Sequence, residues 1–324
     1  MYNQNIHALV SDLELEKWLI DNLKDRRMFQ KYLYLWDSAV DYYKAYSDGQ
    51  IDPNAVSHFD FIWKHMNKNK RLAIISLGCG DASQEKELLV ELKKSWFDFT
   101  YFWVDISRKM LNLAIKNLED LDIEKRFVLA DTMSEHFRQE ISGMTKNYDS
   151  RFFCFLWRTF CNTNQTNSTD SFYNLLNKED YLWFDVYTRD NDDSQTNLKI
   201  FNRYNEYILN PENKKKINFQ FSVLKWLWVK QSDGKFVLEM KKEPSIGTLV
   251  FSFSYLFSKK VIISFRNEKV HILPWESVEL YDIRNYYAPK LLDFFKQHDF
   301  KKVDHFSKSY LWDWLKHSQF LFKK

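Results

Sequence analysis

Leu72-Ala73-Ile74-Ile75-Ser76-Leu77-Gly78-Cys79-Gly80-Asp81 carries an apolar run straight into two glycines one residue apart. The chain has 324 residues but only 6 glycines, and no other two stand so close. Glycine reaches positive φ without steric cost and lets backbone approach a ligand where a side chain would block it. The apolar run, the Gly-x-Gly turn and the charged amphipathic stretch from Ser83 to Lys94 read as strand, loop and helix. Alone, the glycine pair is equally well a structural turn.

The same unit recurs downstream. Phe99 to Val104 reads as a second strand ending at Asp105, followed by a helix signature from Ser107 to Leu118 with Ser107 as N-cap. Arg126 to Ala130 makes a third strand ending at Asp131, and Phe152 to Trp157 a fourth, followed by a polar loop from Asn162 to Thr169. Asp180 to Val186 makes a fifth. Strands alternating with helices predict an α/β fold with a doubly wound, mostly parallel sheet, whose ligand sits outside the carboxyl ends of the strands.

The residues around the glycines narrow the ligand. A dinucleotide loop of the GxGxxG type wants a third glycine at position 83, where this chain has Ser83, and Asp81 would repel a pyrophosphate. An acid there suits a ligand carrying an ammonium and a sulfonium. Asp105 follows Gly80 by 25 positions, near the spacing at which a carboxylate accepts from a ribose diol. Asp131 is placed to accept from an adenine amino group. Each acid singly is as readily a helix cap or turn residue. Three of them after three successive strands, beside the glycine pair, point to a nucleoside-type ligand.

Residues 1–66 read as a helical N-terminal cap, with Leu13, Leu15, Trp18, Leu19 and Leu23 at helical spacing and an aromatic segment from Tyr32 to Tyr46. It serves either as a layer over the core or as a lid presenting Tyr32 and Trp36 to a ligand. After Asp190 a polar helical stretch leads to strand-like segments at Phe219 to Val229, Phe236 to Lys241, Thr248 to Phe257, Lys260 to Phe265 and Lys269 to Leu273. Turns at Ser232-Asp233-Gly234 and Arg266-Asn267-Glu268 make these an antiparallel α+β module inserted at 191–285. A helix from Pro289 to His298 and strands at Lys302 to Phe306 and Gln319 to Phe322 close the main domain, which spans 67–190 and 286–324.

Composition excludes several classes. Hydrophobic residues make up 45% and charged residues 28%, as in globular proteins with a real core. With 47 basic and 44 acidic residues the net charge is only +3, and the short basic runs Lys68 to Arg71 and Lys214 to Lys216 read as solvated helix ends or turns, so a nucleic-acid partner is not expected. Three cysteines without CxxC spacing and no signal-peptide pattern lead us to expect a cytoplasmic protein. No apolar run is long enough for a membrane span. Eight histidines without HExxH or Cys/His clustering give no metal site.

Taken together, Leu77-Gly78-Cys79-Gly80-Asp81, Val104-Asp105-Ile106-Ser107 and Ala130-Asp131 resemble the cofactor motifs of class I S-adenosylmethionine-dependent methyltransferases. The nearer resemblance is to the histidine-specific branch of the ergothioneine pathway, which has a comparable inserted module. Arg158-Thr159-Phe160-Cys161-Asn162 falls where that branch has Ser-Thr-Ile-Gly-Asn. The resemblance implies a Rossmann-like methyltransferase domain, S-adenosylmethionine as cofactor with S-adenosylhomocysteine as product, and cofactor contacts from Gly78, Cys79, Gly80, Asp81, Asp105, Ile106, Asp131, Thr132 and Asn162.

On the substrate side the branch's Glu-x-Ser reads here as Asp282-Ile283-Arg284, which exchanges a hydroxyl for a guanidinium suited to a carboxylate or phosphate. Arg284 is equally a surface ion pair or a cap. Substrate-pocket candidates are Tyr187, Arg189, Trp275, Glu279, Asp282, Arg284 and Tyr286. Aromatics among them either enclose a cation or simply pack. Methyl transfer from a sulfonium needs no acid for the leaving group, so catalysis rests on holding the acceptor in line, and no general base is assigned. The implied substrate is a small amine or amino-acid-like molecule. A protein, an RNA or a cofactor-binding scaffold role are the alternatives.

Overall fold

A computed structural model describes residues 6–35, 41, 58–83, 85–156, 159–208, 210, 214–310 and 312–324. The first half of the chain runs β1 (Ile6–Ala8), α1 (Asp12–Lys24), α2 (His58–Ile62), β2 (Leu72–Leu77), α3 (Glu85–Lys94), β3 (Phe99–Asp105), α4 (Arg108–Asn117), β4 (Glu124–Leu129), α5 (Glu135–Met144), β5 (Ser150–Phe155), α6 (Gln165–Leu175) and β6 (Tyr181–Arg189). The second half runs α7 (Ser194–Ile208), α8 (Lys214–Trp226), β7 (Gly234–Glu243), β8 (Thr248–Phe257), β9 (Val261–Phe265), β10 (Glu268–Ile272), β11 (Ser277–Tyr287), α9 (Ala288–Gln297), β12 (Lys301–Tyr310) and β13 (Trp312–Lys323).

These elements fall into two compact units. The first takes residues 1–10, 50–190 and 286–324. Its strands lie in the order β1-β4-β3-β2-β5-β6-β13-β12. Every pair from β1 to β6 is parallel, whereas β13 runs antiparallel to both β6 and β12. Every residue of β2, β3 and β5 is buried. Burial on both faces explains why these strands read as continuous apolar runs instead of alternating. From β2 the chain winds outward through β3 to β4, then returns to place β5 on the other side of β2. The strand order therefore reverses between β2 and β5, which opens a crevice at their carboxyl ends.

Local chemistry fixes the ends of the helices that frame this crevice. Ser107 caps α4 by accepting from the Met110 amide, and Ser134 caps α5 by accepting from Phe137. Asn164 caps α6 by accepting from Asn167. Thus Ser107 holds the N-cap place that the sequence predicts for it.

The second unit takes residues 11–49 and 191–285. Here β11, β8 and β7 lie side by side, with β7 and β8 antiparallel, and β9 and β10 form a separate hairpin. The segment after α1 is tied to β11 by backbone as well as charge. Met28 N–H donates to the Glu279 carbonyl at 2.6 Å, Glu279 N–H donates to the Arg26 carbonyl at 2.9 Å, and Arg26 pairs with Glu276 at 2.8 Å.

Three elements differ from the sequence reading, the first being β1, a strand paired in parallel with β4 where residues 1–66 were expected to be helical. Phe219 to Val229, expected as a strand, is mostly helix α8. Phe219, Gln220, Phe221, Ser222, Val223 and Leu224 are all buried, so the helix lacks the polar stripe that gives a 3.6-residue period away. Conversely, Ser277–Tyr287 is strand β11, where no strand was expected. The aromatic candidate Trp36 lies outside the described residues. No helix among the described residues is long and apolar enough to cross a membrane.

One buried ion pair braces the first unit at the amino end of β5. Asp180 accepts from the Arg151 amide at 2.8 Å, from its Nε at 2.9 Å and from the Asn177 amide at 2.7 Å, with both charged residues buried. Truncating one member strands the other charge. Asp180→Ala should therefore cost about 3–5 kcal/mol in equilibrium unfolding, whereas a loss below about 1 kcal/mol would show the pair to be dispensable.

Candidate active site

The carboxyl ends of β2, β3 and β4 are stitched together by backbone. Gly78 N–H donates to the Val104 carbonyl at 2.8 Å, and Ala130 N–H donates to the Asp105 carbonyl at 3.0 Å. The loops at 78–83, 105–107 and 130–134 therefore emerge side by side. Gly78 and Gly80 have φ of 69° and 60°, both left-handed. A Cβ on Gly78 would stand 2.4 Å from the Thr159 methyl, so this position needs glycine for space as well as for φ. Thr159 donates its hydroxyl to the Leu156 carbonyl at 2.7 Å, which fixes that methyl against the loop across the crevice.

Asp105 joins the loops. Its Oδ2 accepts from Gly80 N–H at 2.9 Å and its Oδ1 from Ser107 N–H at 2.8 Å. Burial outweighs these bonds and pushes its carboxyl up to about 6. A carboxylate has about four acceptor sites, and the amides of Gly80, Ser107 and Ile106 leave it further capacity. Asp81 is buried as well, and its Oδ1 accepts from the amide and hydroxyl of Ser83 at 3.1 and 2.8 Å. The Asn117 side chain donates to the Asp81 carbonyl at 2.9 Å, locking the loop to the end of α4.

The remaining expected cofactor residues are placed as follows. Cys79 and Ile106 are buried within the first two loops, and burial with the nearby Asp105 pushes the Cys79 thiol up, so it stays protonated. Asp131 is half-buried and accepts from the Met133 amide at 3.1 Å, with Thr132 half-buried between them. Beside this turn an open groove of about 420 Å³ is lined by Met133, Arg138, Asn164, Asn167, Asp170 and Ser171. Asn162 is exposed at the end of a short 3₁₀ turn, and Arg158 lies outside the described residues.

The expected substrate residues separate. In the first unit Tyr187, Arg189 and Tyr286 are buried, with Tyr286 packed near Phe160. In the second unit β11 brings Glu279, Asp282 and Arg284 together. Arg284 binds Glu243 at 2.6 Å and Asp282 at 3.3 Å, Asp282 also accepts from Ser252 at 2.8 Å, and Glu279 binds Arg27 at 2.8 Å. Trp275 stands apart, 74% exposed, in the turn before β11.

Sequence reading also passed over polar groups inside the first unit. Asp185 on β6 is fully buried. Burial alone would raise its carboxyl, but His317 at 3.0 Å and His58 at 3.4 Å hold it well below the usual range. Nothing local marks His58 and His317 as partners of a residue so far away in the chain. Thr159 lay within a quoted motif, but its contact with Gly78 is visible only in three dimensions. No group of three or more His, Cys, Asp or Glu side chains among the described residues is arranged to hold a metal ion.

Residues 55–186 match the family model described as "Histidine-specific methyltransferase, SAM-dependent". The strand order, the glycine loop at its reversal point and this match agree. The fold is that of a class I S-adenosylmethionine-dependent methyltransferase. Its cofactor is S-adenosylmethionine, with S-adenosylhomocysteine as the product. Similar solved structures include a SAM-dependent methyltransferase from Methanosarcina mazei, 11% identical over 81% of this chain and 96% of that one, TM-score 0.43. Another is the Burkholderia thailandensis 1,6-didemethyltoxoflavin-N1-methyltransferase, 11% identical over 98% and 91%, TM-score 0.41. A third is a cyclopropane synthase from Mycobacterium tuberculosis, 8% identical over 85% and 87%, TM-score 0.44. No curated protein sequence matches the chain.

The packing of Thr159 on Gly78 gives a directional expectation. Gly78→Ala should destabilise the protein by about 1–3 kcal/mol through left-handed strain and overpacking. Adding Thr159→Ser removes the clashing methyl but keeps the hydroxyl, so the double variant should recover part of that loss in thermal melts. Simple additivity would show that the two residues do not press on each other.

Proposed function

We propose that this methyltransferase transfers a methyl group to nitrogen on a small amine or amino-acid-like substrate, with the loops at 78–81, 105–106 and 131–132 and Asn162 holding the cofactor. The observation that carries the cofactor half is the Asp105 clamp. Its carboxylate is aimed by two backbone amides and keeps acceptor capacity for a ribose diol. Asp81 on the Gly-x-Gly loop supplies negative charge where a cationic methionine end would lie. Asp131, beside the polar groove, is the acceptor proposed for the adenine amino group.

The cofactor supplies a methyl already activated on sulfur. The protein's own task is then to bind, orient and exclude water, and a rigid, backbone-braced crevice suits it. The substrate half draws support from the family match over residues 55–186, whose description names histidine. It also draws on the near-balance of charge, which offers no broad basic footprint for a nucleic acid. The carboxylates of Glu279 and Asp282 are the groups proposed to meet an amine. Arg284, bound to Glu243 and Asp282, orders Asp282, and Arg27 orders Glu279. Tyr187, Arg189, Tyr286 and Trp275 complete the proposed substrate set.

Two measurements test this reading. Asp105 is ionised above about pH 6, and protonation removes the acceptor. Affinity for S-adenosylhomocysteine should fall more steeply once pH drops below that value, by up to about a further tenfold per unit. Asp105→Asn should weaken binding roughly 10- to 100-fold at pH 7 and flatten the pH profile; a wild-type profile flat from pH 7 to 5 would count against the clamp. For the acceptor, labelled methyl transfer should be assayed with histidine, other amino acids and amines, peptides and RNA. Transfer to free amines is expected. Transfer to peptide or RNA alone, or cofactor binding without transfer to any acceptor, would overturn the substrate proposal.

A further inference from the structure

Behind the Gly78–Asp81 loop lies a polar cluster that the proposed cofactor contacts leave unused. Ser76 on β2 is level with Trp103 on β3 and Cys154 on β5, and Ile74 is level with Tyr101, so these side chains share one face of the sheet. Glu85, the first residue of α3, enters this face and is 1% exposed. Its Oε1 accepts from the Ser76 hydroxyl at 2.7 Å. Its Oε2 has no hydrogen-bond partner among the described residues.

The ionisable groups acting on Glu85 are Asp81 and Asp105 from the loops, and Glu85 in turn acts on Tyr101, Cys79 and Cys154. None of these is a cation. The neighbouring Lys86 is engaged by Asp120 at 2.7 Å and by the Asn117 carbonyl at 3.0 Å. Burial first, then the charge of Asp81, pushes the Glu85 carboxyl up to about 8 despite the Ser76 bond. At neutral pH it is therefore mostly protonated. A sealed carboxyl with one fixed and one unsatisfied oxygen, set behind loops that carry Asp81 and Asp105, lacks a positive charge.

We propose that Glu85 is the counter-charge for the ammonium at the methionine end of the cofactor, acting from behind the loop as a positioning residue. This rests on the reading that the Gly78–Asp81 loop holds that end. When the ammonium arrives, the carboxyl ionises and its proton leaves to solvent, so binding at pH 7 is coupled to proton release.

Titration calorimetry with S-adenosylhomocysteine and with methylthioadenosine, which shares the nucleoside and sulfur but lacks the amino acid, separates this from a structural role. Glu85→Gln keeps the shape and the Ser76 contact. It should weaken S-adenosylhomocysteine by about tenfold or more and change methylthioadenosine by less than about twofold. Proton release at pH 7, read from heats in buffers of different ionisation enthalpy, should fall in the variant. Ser76→Ala, which leaves the charge but not its orientation, should show the same split at about threefold. Equal losses for both ligands, or none for either, would overturn the proposal and leave Glu85 a packing residue. Failure of the wild-type protein to bind either nucleoside would instead sink the cofactor reading on which it rests.

Discussion

Asp105 accepts from the amides of Gly80 and Ser107, and that one carboxyl joins the loop after β2 to the turn after β3. Much at the carboxyl edge of the sheet follows from it. A left-handed Gly80 presents its N–H toward β3, and a turn without such an acceptor would bury that amide unpaired. Ser107 is held where its hydroxyl caps α4, and α4 in turn delivers Asn117 to the Asp81 carbonyl. Loop, strand end and helix thus form a closed circuit of hydrogen bonds, each member fixed by the next.

The strand order sets this circuit in a crevice. Because the chain winds outward from β2 and then returns to place β5 on its other side, no crossover helix fills the space above the β2–β5 junction. Thr159 reaches from the segment after β5 to pack against Gly78. The loop is therefore rigid on one side through Asp105 and on the other through Thr159. A ligand held there finds its contacts already in place, which lowers the ordering cost of binding.

What could be read in the sequence divides along physical lines. β2 and β3 announce themselves because strands buried on both faces run apolar from end to end, and Gly78 and Gly80 stand out because the chain has so few glycines. Ser107 was legible because capping is local. α8 was not, since a helix buried around most of its circumference shows no period. β11 hid because its charged residues Glu279, Asp282 and Arg284 are neutralised by Arg27 and Glu243, distant in sequence. Glu85 was misleading in another way. An acid in the first turn of a helix ordinarily complements the helix dipole at the surface, and nothing in Glu85-Lys86-Glu87 says that it points inward while Glu87 does not.

That inward acid shares an electrostatic cost with Asp105. Asp105 and Glu85 both ionise above their ordinary range, because burial disfavours their charged forms. A carboxyl raised in the folded state binds its proton more tightly there than in the unfolded chain. The resulting stabilisation is complete below about pH 4. It is lost as pH rises through about 6 for Asp105 and about 8 for Glu85. Near neutrality the protein carries an electrostatic penalty beside the Gly78–Asp81 loop. On the proposed reading, a ligand that brings positive charge and hydroxyl donors relieves it. On that reading, the same acids favour a sulfonium- and ammonium-bearing nucleoside over a pyrophosphate, which would deepen the penalty.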